Sequence, residues 1–343
     1  MLKLYTNSNF LTETYRRQVF PLLFDLVFKQ NKTLLSKYTI VTTIETADIV
    51  VFPVDYAVFF KHKTDFNRLL NLAKQHQKPI WMYTAGDYGF TNYIANSYTF
   101  RLGGFDSKLD ENTFVMPSFI NDPYDAFLAQ GFSAIKKEEQ PSIGFVGHAQ
   151  FGVLKYIKEY TNHLKYQVKR KLNKLLADRQ SFYPSSIKRA NYLNALALNE
   201  AFNTQFILRT KYRAGSQSVV TQKESSKQFY DNIFNTAYTF CIRGVGNFSV
   251  RFYEALAVGR IPILINTDCR LPLQDKINWS KHCLIIDQNS KVSIADQVLK
   301  FHDSLTATQF ENLQLCNRAL WLNSLRREPY FLEIEKQFKT KLQ

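Results

Sequence analysis

Residues 238–268, YTFCIRGVGNFSVRFYEALAVGRIPILINTD, hold the densest set of side chains with chemistry to offer. An apolar run, YTFCI, gives way to a short polar loop, RGVGNF, which carries Gly244, Gly246 and Asn247. Ser249 stands where it can cap the helix VRFYEALAV, and Gly259 follows as a left-handed terminator. The run IPILI then returns as a second strand. A loop between a parallel strand and its helix lies at the carboxyl edge of the sheet, and the unpaired N–H groups of the helix point there. Those donors and the helix dipole favour a diphosphate at that point. Glycine lets the backbone approach phosphate oxygens with no Cβ in the way. Arg243 and Arg251 flank the loop and offer forked, charge-assisted contacts to such oxygens. Glu254 falls one turn beyond Arg251 on the same face, a poor neighbour for phosphate but a good acceptor for ribose hydroxyls. The same spacing also fits a turn that binds nothing, with Glu254 simply paired to Arg251, because a Gly-x-Gly alone is a weak signal.

The elements that must position this loop read as two doubly wound α/β halves. In the first half, KLYT (3–6) is a strand, followed by the amphipathic LTETYRRQVFPLLFDLVFKQ with Pro21 as a kink or break. The run IVVF (49–52), stopped by Pro53, is a buried strand; FNRLLNLAKQHQ (66–77) has helical spacing, and KPIWMYT and NTFVMPSF supply further strands. Strand, helix, strand in this order points to parallel βαβ units. Residues 131–141, GFSAIKKEEQP, are charged and poor in large apolar side chains, which marks a domain boundary. SIGFVGHAQFG restarts a strand ahead of a long basic helical region. QFILRT, KQFYDNIFNTA, YTFCI, IPILINTD and HCLIID then continue a second βαβ series, and the tail reads as two or three helices. The expected division is 1–135, 142–325 and a C-terminal helix, 326–343, packing back towards the first domain.

A chain of 343 residues, 45% of them hydrophobic, can bury two domain cores. Cys241, Cys269, Cys283 and Cys316 lack CxxC pairing and read as reduced core or near-core residues; the six histidines are not spaced with them as zinc ligands. No apolar run reaches the roughly 18 residues that a spanning helix needs. The start, MLKLYTNSNF, is too short and polar for a signal peptide, so a cytoplasmic setting is the expectation. The formal charge of +15 favours polyanionic partners. Much of that excess lies between Lys155 and Arg189, as a solvated helix face or as a surface for anionic lipid headgroups at the inner face of a membrane. No nucleic-acid-binding motif accompanies it, and nucleic acid is not an expected partner.

The stretch FCIRGVGNFSVRFYEALAVGRIPILINTD, continuing through LPLQDKINWSKHCLII, resembles the C-terminal signature of the exostosin family, glycosyltransferase family 47. Weaker echoes occur upstream in the family's order: ADIVVFPV, WMYTAGDYG, FVMPSF and SIGFVG. The likeness covers most of residues 47–325, with 238–286 its specific part. The resemblance implies a GT-B arrangement, two Rossmann-like domains facing a cleft, with 1–135 as acceptor domain and 142–325 as nucleotide-sugar-binding domain. It further implies an inverting, metal-independent glycosyltransferase. The donor would be a nucleotide-sugar, UDP-linked by default, and the acceptor an oligosaccharide or lipid-linked glycan of surface polysaccharide biosynthesis. Carried over by position, Arg243, Gly244, Ser249 and Arg251 approach the donor diphosphate and Glu254 holds the ribose. Ile242 departs from the pattern, since the family commonly has proline before the Arg-Gly pair. The membrane anchor and stem usual in animal and plant members are missing from this sequence, which favours a soluble bacterial or viral-type member. No D-x-D triplet occurs, in keeping with metal-free catalysis, and no cofactor beyond the donor substrate is expected.

An inverting transfer needs a base for the acceptor hydroxyl. Asp87, after Gly86 at the end of the strand WMYT, is the first choice and matches an acidic position in the family's similar loop; it also suits a turn residue capping its own backbone. Asp55 and Asp106 are rivals, and His148 reads as a donor or acceptor contact. Arg209 and Lys211, after QFIL, can reach the nucleotide or lie on the surface. Asp268, after IPILINT, can touch the sugar or be an ordinary loop residue. Trp81, Trp279 and Trp321 read as core. The alternative reading is a non-catalytic nucleotide-sugar or glycan-binding protein.

Overall fold

The computed structural model describes residues 1–210 and 219–342. In the first domain β1 (Leu2–Thr6), β2 (Tyr38–Ile40), β3 (Ile49–Val51), β4 (Ile80–Thr84), β5 (Ser97–Arg101) and β6 (Thr113–Val115) form one sheet in the order β2-β1-β3-β4-β5-β6, parallel throughout. In the second, β7 (Ser142–His148), β8 (Asn203–Arg209), β9 (Tyr238–Cys241), β10 (Ile261–Asn266) and β11 (Leu284–Asp287) pair in parallel as β11-β10-β9-β7-β8. These are the two Rossmann-like halves of a GT-B arrangement. Central strands such as β3 and β9 are buried along their whole length, as strands covered by helices on both faces must be.

The helices that matter for the site are α1 (Pro21–Val27), α2 (Lys63–Gln75), α3 (Val153–Lys171), α4 (Ser185–Ala197), α5 (Val219–Asn235), α6 (Val250–Val258), α7 (Ala307–Leu320) and α8 (Arg327–Leu342). Pro21 does not kink a longer helix. It opens α1 at the first helical position, where the missing N–H costs nothing, and the preceding residues run as turns with Val19 bridging to Val54. β2 and β5 escaped the sequence reading because Tyr38–Ile40 is short and SYTFR carries polar residues in place of an apolar run.

The helix α8 belongs to the first domain's core. Phe338 meets Trp81 edge to face at 4.6 Å, Phe331 meets Phe20 at 5.8 Å, and the Tyr38 hydroxyl donates to the Phe331 carbonyl at 2.6 Å. All three tryptophans are buried. Cys241 and Cys283 are buried, whereas Cys316 is exposed on the outer face of α7, so the core reading of the cysteines fails there.

Ion pairs join the domains at the carboxyl edges of their sheets. The buried Arg101 of β5 pairs with Asp178 at 2.8 Å, and Arg270 pairs with Asp106 at 2.5 Å.

Candidate active site at the carboxyl edge of the second sheet

The strand order reverses between β7 and β9: the chain leaves β7 for β8 on one side, then returns to build β9, β10 and β11 on the other. Ligands of open α/β sheets bind in the crevice that such a reversal opens. The RGVGNF loop leaves β9 at that crevice and α6 follows it. Ser249 occupies the N-cap position with extended backbone, but its side chain makes no capping hydrogen bond. Gly259 ends α6 in the left-handed conformation, with φ of 79°.

Three arginines and a histidine meet at the crevice, with a fourth arginine at its rim. Arg251 reaches back from α6 to donate to the Val146 carbonyl of β7 at 2.8 Å, with its guanidinium 4.2 Å from the Phe145 ring centroid. Arg189 of α4 spans the crevice, donating to the His148 carbonyl at 2.5 Å and to the Arg243 carbonyl at 3.2 Å, one from each side. Arg243 lies between the Phe105 and Tyr183 rings and donates to the Val245 carbonyl at 2.7 Å, which shapes the loop. Arg209, at the end of β8, turns outward to the Ser225 carbonyl and to Gln228 of α5. His148 has a settled tautomer: Nδ1–H donates to the Arg209 carbonyl at 3.1 Å and Nε2 accepts from Lys155 at 2.6 Å. Burial first, and Lys155 second, hold its pKa below the ordinary value, so it is neutral at pH 7.

Three of these guanidiniums keep a buried donor unpaired. The Nε atoms of Arg189, Arg243 and Arg251 are sealed from solvent with no hydrogen-bond partner among the described residues. Burial, and then the charge of Arg251, pull the Arg189 pKa down to about 10; burial lowers those of Arg243 and Arg251 as well. Unsatisfied buried donors cost about 1–3 kcal/mol each, more when charged, and an anion near the guanidiniums would lower the charge-burial part of that cost. Glu254 is half-buried in α6 with the Tyr230 hydroxyl of α5 at 3.5 Å.

The loop divides into two halves. Among the described residues nothing lies within 4 Å of where a Cβ would stand on Gly244, and Val245 beside it is exposed, so this end has room for a ligand. The other end is clamped to the first domain. A Cβ on Gly246 would collide with the Asp87 carbonyl. Asn247 is buried, its amide donating to the carbonyls of Gly104, Thr267 and Asp268 while its oxygen accepts from Thr267. The expected donor contact of Asn247 therefore gives way to a bolt across the domain seam. Asp268 is likewise spent, since its carboxylate accepts from the Ser107 N–H at 3.1 Å and from the Ser107 hydroxyl at 2.5 Å. Lys211 lies outside the described residues.

In the first domain the three acidic candidates separate. Asp55 caps the short helix Tyr56–Phe59 and accepts from the N–H groups of Ala57, Val58 and Ala85. Asp106 is paired with Arg270. Asp87 makes no side-chain hydrogen bond among the described residues; it is open to solvent, yet the loop crowded round it raises its pKa through partial desolvation. That loop is fixed from both domains. Arg101 donates to the Tyr88 carbonyl at 2.8 Å, and Tyr88 stacks on Tyr166 of α3 with ring centroids 4.2 Å apart. Beside it runs a groove lined by Tyr56, Phe90, Tyr93, Arg170 and Arg179.

Sequence reasoning missed Arg189, Tyr230 and Arg101. Arg189 sat at the end of a basic stretch that read as solvent-facing or lipid-facing, and only its position on α4, one turn inside the helix start, turns it to the crevice.

The Exostosin GT47 domain matches residues 27–300. Exostosin-1 of Drosophila melanogaster is 31% identical over 116 residues, which take in 33% of this chain and 14% of the fly protein. Exostosin-1 of Bos taurus is 29% identical over 122 residues, 35% of this chain and 15% of that protein, so the chain spans only a small part of the curated relatives it matches. Among solved structures, a glycosyltransferase from Rickettsia africae ESF-5 aligns over 98% of both chains with 11% identity and a TM-score of 0.39. An α1,3-fucosyltransferase aligns over 99% of this chain and 90% of that one with 13% identity and a TM-score of 0.38.

Proposed function

Since the chain belongs to the exostosin GT47 domain family, we propose that it transfers a sugar from a nucleotide-sugar, UDP-linked by default, to a glycan acceptor, with inversion and without a metal. One observation supports the reading above the rest: three guanidiniums, whose buried Nε atoms have no hydrogen-bond partner among the described residues, gather where β7 and β9 part, beside the Gly244 end of the loop. A sugar-linked diphosphate supplies the missing negative charge.

In this reading Arg251, Arg189 and the Gly244 backbone take the diphosphate, and Glu254 accepts hydrogen bonds from the ribose. Arg243 keeps the loop in shape, Asn247 and Asp268 hold the seam, and Arg209 and Ser249 stay at the rim. The acceptor enters along the groove of Tyr56, Phe90 and Tyr93, where aromatic faces suit sugar rings. Asp87 takes the acceptor hydroxyl's proton as the oxygen attacks the anomeric carbon from the face opposite the phosphate. The anomeric C–O bond to phosphate breaks, and the departing diphosphate's charge falls on the guanidiniums, the work a divalent cation does elsewhere.

Thermal stabilisation across a panel of nucleotide-sugars identifies the donor. Transfer to glycan acceptors in excess EDTA, with the product anomer read by NMR, tests the rest. No stabilisation by any nucleotide-sugar and no turnover would sink the reading. Tight UDP binding with no turnover of any donor would instead mark a binding protein.

A further inference from the structure

The outer face of α3 is apolar, cationic and bare. On the inner side the helix is firmly held: Lys155 reaches His148, Tyr166 stacks on Tyr88 and donates to the Asp178 carbonyl, and Gln167 donates to the Gln180 carbonyl at 2.7 Å. On the opposite side Leu154, Ile157, Leu164 and Val168 are 85%, 53%, 47% and 55% exposed, with Thr161 between them. Steps of three and four residues set these five side chains in one stripe along the helix. Exposed Val153 and Leu172 extend it at either end. Lys158, Lys165 and Lys169 each directly follow a member of the stripe, so they form a parallel row about 100° round the helix. The helix holds one acid, Glu159, and that residue turns inward to Lys155 at 3.5 Å.

We infer that α3 is a docking face for an anionic lipid bilayer, lying in the plane of the membrane with the Leu154–Val168 stripe in the acyl boundary and the lysine row on the headgroups. An exposed apolar stripe flanked by like-charged lysines is the pattern of an interfacial helix, whose long lysine stems reach to the phosphates. The same stripe has coiled-coil spacing, but a second copy of the helix would bring lysine rows together with no outward acid to answer them. Anionic headgroups do answer them. Because the inner face of α3 touches the Asp87–Tyr88 loop, docking sets the mouth of the domain cleft beside the bilayer. On the transferase reading, and resting on it, the acceptor class that follows is a lipid-linked glycan.

The test is sedimentation of the full chain with vesicles of phosphatidylcholine alone and of phosphatidylcholine mixed with phosphatidylserine, with no donor or acceptor present. The chain should bind the mixed vesicles at least about tenfold better, and added salt should weaken that preference. Replacing the row by Lys158→Gln, Lys165→Gln and Lys169→Gln should remove up to about a hundredfold of binding to the mixed vesicles. Ile157→Glu with Leu164→Glu should abolish it while leaving the melting temperature unchanged, because those side chains touch solvent. Absence of binding, equal binding to both vesicle types, or full binding by either variant overturns the inference. So does a concentration-dependent dimer that is lost in the double glutamate variant while vesicles bind nothing, which assigns the face to a second copy. Binding is read without catalysis, so its failure leaves the transferase reading standing, and the reverse holds too.

Discussion

The two domains share one wiring, yet their crevices are built for different ends. In the first sheet the order reverses between β1 and β3, and that crevice is closed by its own polar groups. The Thr6 hydroxyl of β1 donates to the Val51 carbonyl of β3 at 2.7 Å, Asn7 pairs with Asp65, and Asp55 is used up by three backbone N–H groups. In the second sheet the same reversal between β7 and β9 is bridged by Arg189, whose Nε, like those of Arg243 and Arg251, has no hydrogen-bond partner among the described residues. Strand order opens a crevice in both halves, and the side chains at the strand ends decide which is sealed by its own hydrogen bonds and which is lined by guanidiniums. In the proposed mechanism the first domain contributes instead from the loop after β4, through Asp87.

Substitutions can break this contrast. The largest loss is expected for Asp87→Asn, a fall in transfer of roughly 10²–10⁴ with donor affinity unchanged, the range for a positioned base. The sign of the pH effect follows from the same group. If Asp87 is the base, only its ionised form accepts the proton, and because desolvation raises its pKa, activity should fall as pH drops through a limb above the ordinary aspartate value. The asparagine variant should lose that limb; an unmoved limb would take the role from Asp87. Next comes Arg251→Ala, expected to cut kcat by about 10²–10³ and to weaken donor binding less, as for a donor serving the departing charge. Equal losses in both, measured with the melting temperature as control, would make Arg251 a ground-state contact. Glu254→Ala should weaken UDP binding by roughly 1–3 kcal/mol by calorimetry. The smallest effect belongs to the sealed crevice: Thr6→Val should cost about 1 kcal/mol of stability in denaturant titration and leave donor affinity untouched. A donor defect in that variant would mean the two crevices are not as different as their side chains imply.

Much of this was written in local sequence. Continuous apolar runs with a Gly-x-Gly loop, a good N-cap residue and a terminating glycine are short-range signals, and they marked β9, α6 and β10 together with Arg243, Arg251 and Glu254. Short or polar strands such as β2 and β5 were not legible, because what makes Tyr38–Ile40 a strand is pairing with β1 across a long stretch of chain. Cys316 read as core for want of the helix face that exposes it.

Sequence alone determined the family, the parallel α/β class and the location of the cationic loop, since each depends on residue type and spacing within a few dozen positions. Tertiary structure alone decided that Arg189 joins that loop, that Asn247 and Asp268 hold the seam, that Asp87, unlike Asp55 and Asp106, makes no side-chain hydrogen bond among the described residues, and that the lysines of α3 border an exposed apolar stripe. Those outcomes turn on which partner reaches a polar group first across the fold. No spacing along the chain encodes that distance.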